Sequence, residues 1–253
     1  MINSLVGVLC RFRKHNVAVL CDVEKMFFQF RVAEDDRDLL RFLWFQDNDI
    51  NKEPVDYRMN VHLFGAASSP GCANYGLKYL ARHCSNEFPL ASRFVERSFY
   101  VDDGLVSVSS EEEAIQLANE ARQLCSKGGL RLHKFVSNSK AVLESLPKSE
   151  RASDVTDSNL DFEDQVERAL GIVWNVATDA FCFRISLKEK PMTRRGILSI
   201  VASLYDPLGF VARSFSMARE SFKKCVVAGL GGMIQYPRTC NQGGSNGVRK
   251  SRS

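Results

Sequence analysis

Across 253 residues the chain has two tryptophans, four histidines, seven prolines and no Cys-x-x-Cys pair. The eight cysteines, at 10, 21, 72, 84, 125, 182, 225 and 240, come no closer than eleven positions. That spacing argues against a zinc ribbon or a compact disulfide framework and for reduced core thiols in an intracellular chain. His15, His62, His83 and His133 show no ligand spacing with one another or with cysteine, so a histidine metal site is not expected. Also missing is any apolar run near the roughly 18–20 residues that a membrane helix needs. Residues 1–13 hold no long apolar stretch ahead of a small-residue cleavage site. Membrane insertion and secretion are therefore disfavoured.

An excess of one charge is lacking as well. The net charge is +4, but residues 221–253 carry six Lys or Arg and no acid, so the first 220 residues hold 28 basic against 30 acidic groups, a net of −2. Any surface for nucleic acid in the body must then be a local patch. What is present is ordinary: 45% hydrophobic and 25% charged residues, in a chain long enough for one large domain or two small ones.

Residues 17–21 form a short apolar run that ends at Asp22, the pattern of a buried strand with a carboxylate at its end. After the acidic turn Glu34, Asp35 and Asp36, residues 39–45 and 55–59 read as two strands joined by a polar loop. Ser69 and Pro70 open a helix expected to run to about Cys84. Residues 98–108 alternate like a hairpin whose turn carries Asp102 and Asp103, followed by Gly104. Ser110 caps the clearest helix, with Glu113 three positions on and Gly128 and Gly129 at its end. Residues 130–136 then read as a strand. This order of strand, helix, hairpin, helix and strand implies a split βαβ, ferredoxin-like α+β layer, with helices on one face of an antiparallel sheet. Residues 144–167 read as an acidic, solvated connection, and 168–174 with 181–187 as a second hairpin. A helix is expected between Thr193 and Tyr205, and after about Gly229 the glycine-rich sequence argues for disorder.

Phe99-Tyr100-Val101-Asp102-Asp103 taken alone is compatible with a surface turn, since Asp and Gly are favoured there. Polymerases that join nucleotides need carboxylates from separate strands to hold two Mg²⁺ about 3.5–4 Å apart, and two adjacent acids cannot surround both ions. Asp22, at the end of its own strand, is placed to be the third. The alternative for Asp22 is a helix cap.

Six ordered segments sharpen the picture. They are Ala18-Val-Leu-Cys-Asp22-Val-Glu-Lys-Met-Phe27, Tyr57-Arg-Met-Asn-Val-His-Leu-Phe64-Gly65-Ala-Ala-Ser-Ser-Pro70, Phe99-Tyr100-Val-Asp102-Asp103, Gly128-Gly-Leu-Arg-Leu-His-Lys134, Arg168-Ala-Leu170-Gly171-Ile-Val-Trp174, and Thr193-Arg-Arg-Gly-Ile-Leu-Ser-Ile-Val-Ala-Ser-Leu-Tyr-Asp206-Pro-Leu-Gly-Phe210. In this order, over about residues 4–221, the chain resembles the reverse transcriptase of BEL/Pao-type long-terminal-repeat retrotransposons.

The resemblance implies a right-hand polymerase: residues 1–187 as the palm, with partial fingers at about 30–68 and a primer-grip hairpin, 188–221 as the start of a truncated helical thumb or connection, and 222–253 as a disordered basic tail. It further implies that Asp22, Asp102 and Asp103 hold two Mg²⁺, for which Mn²⁺ can substitute, since Mg²⁺ takes oxygen ligands. Lys134 would protonate the leaving pyrophosphate. The amides of Lys25 and Met26 would face the triphosphate of a dNTP, and Phe64 and Gly65 would line its pocket, Gly65 being equally readable as an ordinary turn glycine. Phe27, five residues after Asp22, would be a steric gate against the 2′-hydroxyl, the plain alternative being one core ring among seventeen phenylalanines. Tyr100, Leu170, Gly171, Arg194 and Arg195 would meet an RNA or DNA template with its primer, the arginines within a basic run that also reads as a solvated helix start.

In that family the polymerase has further finger strands upstream and is joined to ribonuclease H and integrase regions in a polyprotein, acting inside cytoplasmic virus-like particles. None of those regions is visible in this sequence, and after about Phe222 the pattern gives way to an end that reads as read-through or a splice junction. Two readings follow: an RNA- and DNA-templated DNA polymerase domain, and a non-catalytic nucleic-acid-binding remnant.

Overall fold

Aliphatic and β-branched side chains make Val17–Val23 the central strand β1, buried on both faces. In this computed structural model, residues 2–152, 166–182, 195 and 205–210 are described. The chain divides into two compact units, Met1–Cys182 and Phe183–Ser253. The expected segment 183–187, most of the helix 193–205, the thumb region 188–221 apart from Arg195 and residues 205–210, and the tail 222–253 lie outside the described residues, as do Arg194 and residues 153–165 of the acidic connection.

Before β1 stands helix α1, Leu5–Phe12, whose N-terminus is capped by the Ser4 hydroxyl accepting the Gly7 N–H. After it come the ribbon strands β2, Arg41–Phe45, and β3, Pro54–Arg58, then α2, Ser69–His83, and α3, Pro89–Ser98. Strand β4, Phe99–Tyr100, turns directly into β5, Asp103–Val108, and α4, Glu111–Lys127, leads to β6, Leu132–Ser137. A short helix α5, Lys140–Glu144, follows. Strands β7, Val166–Ala169, β8, Ile172–Asn175, and β9, Ala180–Cys182, make a separate three-stranded sheet.

The main sheet runs β4-β5-β1-β6 with every pair antiparallel, the ferredoxin-like order expected from the sequence, so the fold is α+β. Alternation decides its two faces. Val19, Cys21 and Val23 join one core with Ala73 and Leu77 of α2, Phe94 and Val95 of α3, and Leu117, Ala121 and Leu124 of α4. Ala18, Leu20 and Asp22 point the other way, and their cross-strand partners Ser107, Leu105 and Asp103 share that face.

Three expectations need correction. The helices α1 and α3 were not foreseen, although Ser4 is a cap, Pro89 sits at a first helical turn, and Ala91, Phe94, Val95 and Ser98 recur at helical spacing. Residues 168–174 are not one strand of a hairpin but a whole hairpin, turning at Leu170 and Gly171, and Phe181 lies on a third strand opposite Trp174. The start of the acidic connection is not solvated: Leu146 is buried, and Glu150 pairs with Arg131. Of the six described cysteines, Cys21 and Cys125 are buried core thiols, while Cys10, Cys72 and Cys182 are exposed.

The three-stranded sheet is clasped to α1. The Phe12 ring meets Trp174 edge-on at 5.0 Å, the Trp174 indole N–H donates to Asp179 at 3.0 Å, and Arg13 closes an ion pair with the same carboxylate. The ribbon β2–β3 is different, since nearly all of its side chains face solvent. Two isolated strands have no buried face to hold them, which is why this segment stands apart from the core.

Beneath the acidic turn, Gly104 faces Cys21 on the helix side, where a Cβ would lie 2.6 Å from the Phe99 ring and 2.9 Å from the Phe94 ring. Overpacking a core this way costs about 1–3 kcal/mol. Gly104→Ala should lower the midpoint of urea unfolding accordingly.

Candidate active site

The acids converge because of strand register. Asp22 and Asp103 are direct cross-strand partners on β1 and β5, and Asp102 occupies the turn between β4 and β5. The Asp102 carbonyl accepts the Val23 N–H at 3.0 Å, which ties that turn to the end of β1. Tyr100 pairs with Asp103, so it belongs to the carboxylate face too.

The turn is strained. Its first central residue, Val101, has φ of 58°, the region that two-residue hairpins usually give to glycine and that a β-branched residue rarely enters. A second distortion lies across β1. Asp22 pairs with His133 but Leu20 with Val136, so β6 carries one extra residue opposite Cys21, and Lys134 in this bulge has φ of 51°. The bulge re-aims Lys134: its ammonium donates to Asp22 Oδ2 at 2.7 Å, and His133 Nε2 stands 3.7 Å from the same oxygen. Sequence reasoning passed over His133, whose signal was only its place next to Lys134.

Electrostatics follow from this crowding. Burial, then the charges of Asp102 and Asp22, push Asp103 up to about 7. Burial also raises Asp102, with Asp22 adding to it. The bond to Asp22 and the charges of Asp103 and Asp102 raise Lys134. The set is thus a group of mutually repelling carboxylates with one ammonium holding the balance. Beside it, Arg131 bonds both Glu24 and Glu150, and its hydrogen bond holds the Glu24 carboxyl below its usual range.

The oxygen-only donor set has the chemistry of a hard divalent-cation site. Among the described residues, however, no three His, Cys, Asp or Glu side chains form a ready metal cluster as they stand, and Lys134 occupies one oxygen of Asp22.

A second group adjoins the end of β1. Lys25 takes a left-handed conformation, φ 48°, and starts a single 3-10 turn, Met26–Gln29. Met26 and Phe27 are buried, Phe27 at 6% exposure. Pairing of Arg31 with Val61 and of His62 N–H with the Phe30 carbonyl brings residues 62–65 alongside. The Phe64 ring then lies 4.7 Å from that of Phe27 and 5.9 Å from that of Phe28, and is itself 60% exposed. Gly65, at φ 90°, has open space where a side chain would be. Leu170 and Gly171 lie elsewhere, on the three-stranded sheet, where φ of 51° and 85° makes the two-residue turn. Arg195 is exposed and in the second unit. No helix among the described residues is long and apolar enough to cross a membrane.

Residues 3–141 match the family model described as reverse transcriptase (RNA-dependent DNA polymerase). No curated protein matches the chain. Among solved structures, a foamy viral protease-reverse transcriptase in complex with an RNA/DNA hybrid is similar over 95% of this chain, at 14% identity and a TM-score of 0.55. This chain spans 28% of that one, and at such identity the likeness speaks for the fold.

Because Asp103 holds its proton more tightly when folded than when unfolded, stability should fall as pH rises from the ordinary carboxylate value to about 7. Asp103→Asn should therefore be more stable than the parent by about 1–2 kcal/mol at pH 8, and should lose that advantage by pH 4. Urea unfolding in EDTA at the two pH values measures this, and an equal difference at both would refute the assignment.

Proposed function

The chain belongs to the reverse transcriptase family, and from that premise we propose that it is the palm and part of the fingers of an RNA- and DNA-directed DNA polymerase, of the BEL/Pao retrotransposon type, acting by two-metal nucleotidyl transfer from a dNTP to a primer 3′-hydroxyl. The observation that carries the proposal is the register pairing of Asp22 with Asp103, with Asp102 in the adjoining turn.

Asp22, Asp102 and Asp103 are the residues that would hold two Mg²⁺, or Mn²⁺, and the chemistry gained is activation of the 3′-hydroxyl and neutralisation of charge on the departing pyrophosphate. The raised proton affinity of Asp103 supports this, because a cation is what would let all three acids stay ionised together. Lys134, held protonated beside Asp22, has a proton to give to the leaving group. Phe27, wedged against Phe64, is braced as a wall that a 2′-hydroxyl would meet, and Gly65 leaves room for the sugar and base. Tyr100, the Leu170–Gly171 turn, Arg194 and Arg195 are assigned to primer and template. The same reading has the polymerase joined to ribonuclease H and integrase regions in a Pol polyprotein, inside cytoplasmic particles.

Mg²⁺-dependent extension of a DNA primer on an RNA template tests it, with Asp102→Asn expected at background. Primer-template binding without extension by the parent chain would favour the non-catalytic remnant instead. In the same assay Phe27→Ala should raise ribonucleotide use relative to deoxyribonucleotide by about tenfold or more; no change would remove Phe27 as the gate.

A further inference from the structure

Among the described residues, strand β4 pairs only with Asp103 and Gly104 of β5, and no described strand covers the edge at residues 105–108. A cavity of about 270 Å³ opens beside that edge, between the end of α1, the outer side of α3 and the start of α4. It lies three to five residues along β5 from Asp103, about 10–17 Å at the rise of a strand.

Its walls have two characters. Phe94, Leu117 and Val106 make an apolar floor, Phe94 and Leu117 being buried. Arg11, Lys14, Arg93 and Arg97 stand around it, against the single carboxylate of Glu113. Lys14, Arg93 and Arg97 make no ion pair among the described residues, and the buried Arg11 Nε is the one buried side-chain donor there without a partner. Part of the frame is fixed in advance. The Ser107 hydroxyl accepts the Lys14 and His15 N–H groups at 3.2 and 2.9 Å and donates to the Arg11 carbonyl at 2.9 Å, while the Arg11 guanidinium donates to the Arg97 carbonyl.

We propose that this cavity binds a nucleoside phosphate at a site separate from the three carboxylates. An apolar slot suits a planar base, an uncovered strand edge offers N–H and C=O groups to the hydrogen-bonding edge of that base, and unpaired guanidinium groups suit phosphate oxygens. A bare phosphate would leave the floor unused, and a neutral ring would leave the cations unused. The nucleoside phosphate comes either as a free nucleotide or as the 5′-phosphorylated end of a strand.

Calorimetry on the full chain in EDTA, which strips divalent ions from the carboxylates, tests the proposal with ATP, adenosine and tripolyphosphate as probes. ATP should bind about tenfold or more tightly than either fragment, and Arg93→Glu/Arg97→Glu should weaken it by a similar factor. Lys140→Glu, away from the cavity, should leave it within about twofold. Competition with ATP by a 5′-phosphorylated dT12 identifies the strand end as the source, and absence of competition identifies the free nucleotide. Tripolyphosphate binding as well as ATP, or ATP affinity indifferent to the double substitution, would overturn the site. Loss of ATP binding in Lys134→Ala, the ammonium beside the carboxylates, would assign the binding to that site instead. Because none of these outcomes involves primer extension, the polymerase reading can fail while this one stands.

Discussion

The register of β1 against β5 is the constraint on which the rest depends. A slip of one residue would send Asp22 into the helix-covered core and bring Cys21 to the face that now carries the acids. The pairing it enforces is unfavourable in itself, because like charges directly opposite each other in a sheet repel. It is held by its neighbours: Leu20 opposite Leu105, Val19 opposite Val106, and Gly104 admitting the Phe99 and Phe94 rings beneath. Lys134 supplies the compensating charge from the far side of β1. Packing on both faces of the sheet thus maintains an electrostatic arrangement at its end that would not persist alone.

Backbone strain gathers at the same place. Val101 and Lys134, one in the acidic turn and one across the sheet, both sit in the left-handed region, at about 1–2 kcal/mol each for residues with a Cβ. Such conformations survive only where surrounding structure over-determines them, and they concentrate where a side chain must be aimed. In Lys134 the benefit is visible, since the bulge delivers its ammonium to Asp22.

Much of this was legible in the sequence. The apolar run ending in Asp22, the acids of the 99–103 turn and the capped helix after Ser110 each express a local rule, and local rules survive folding. What escaped has a common cause. The helices α1 and α3 are short, with their apolar residues answering to a core that other segments complete. The bulge at Lys134 is a property of two strands in register, so no single stretch of chain encodes it. The burial of Leu146 and the Arg131–Glu150 pair likewise depend on where distant residues arrive. The turn at Leu170-Gly171 was missed inside a stretch that reads as one strand, and the three strands around it needed Trp174 to find Phe12.

The clasp between Trp174 and α1 has a spectroscopic corollary. The chain has two indoles: Trp174 is fully enclosed and hydrogen-bonded to Asp179, whereas Trp44 is 51% exposed on the ribbon and bonded to Asn48. Their emission should separate into a short-wavelength band shielded from aqueous quenchers and a long-wavelength band open to them. Detachment of the three-stranded sheet and rearrangement of the ribbon can therefore be watched independently, in the unlabelled protein, by selective quenching of its own fluorescence.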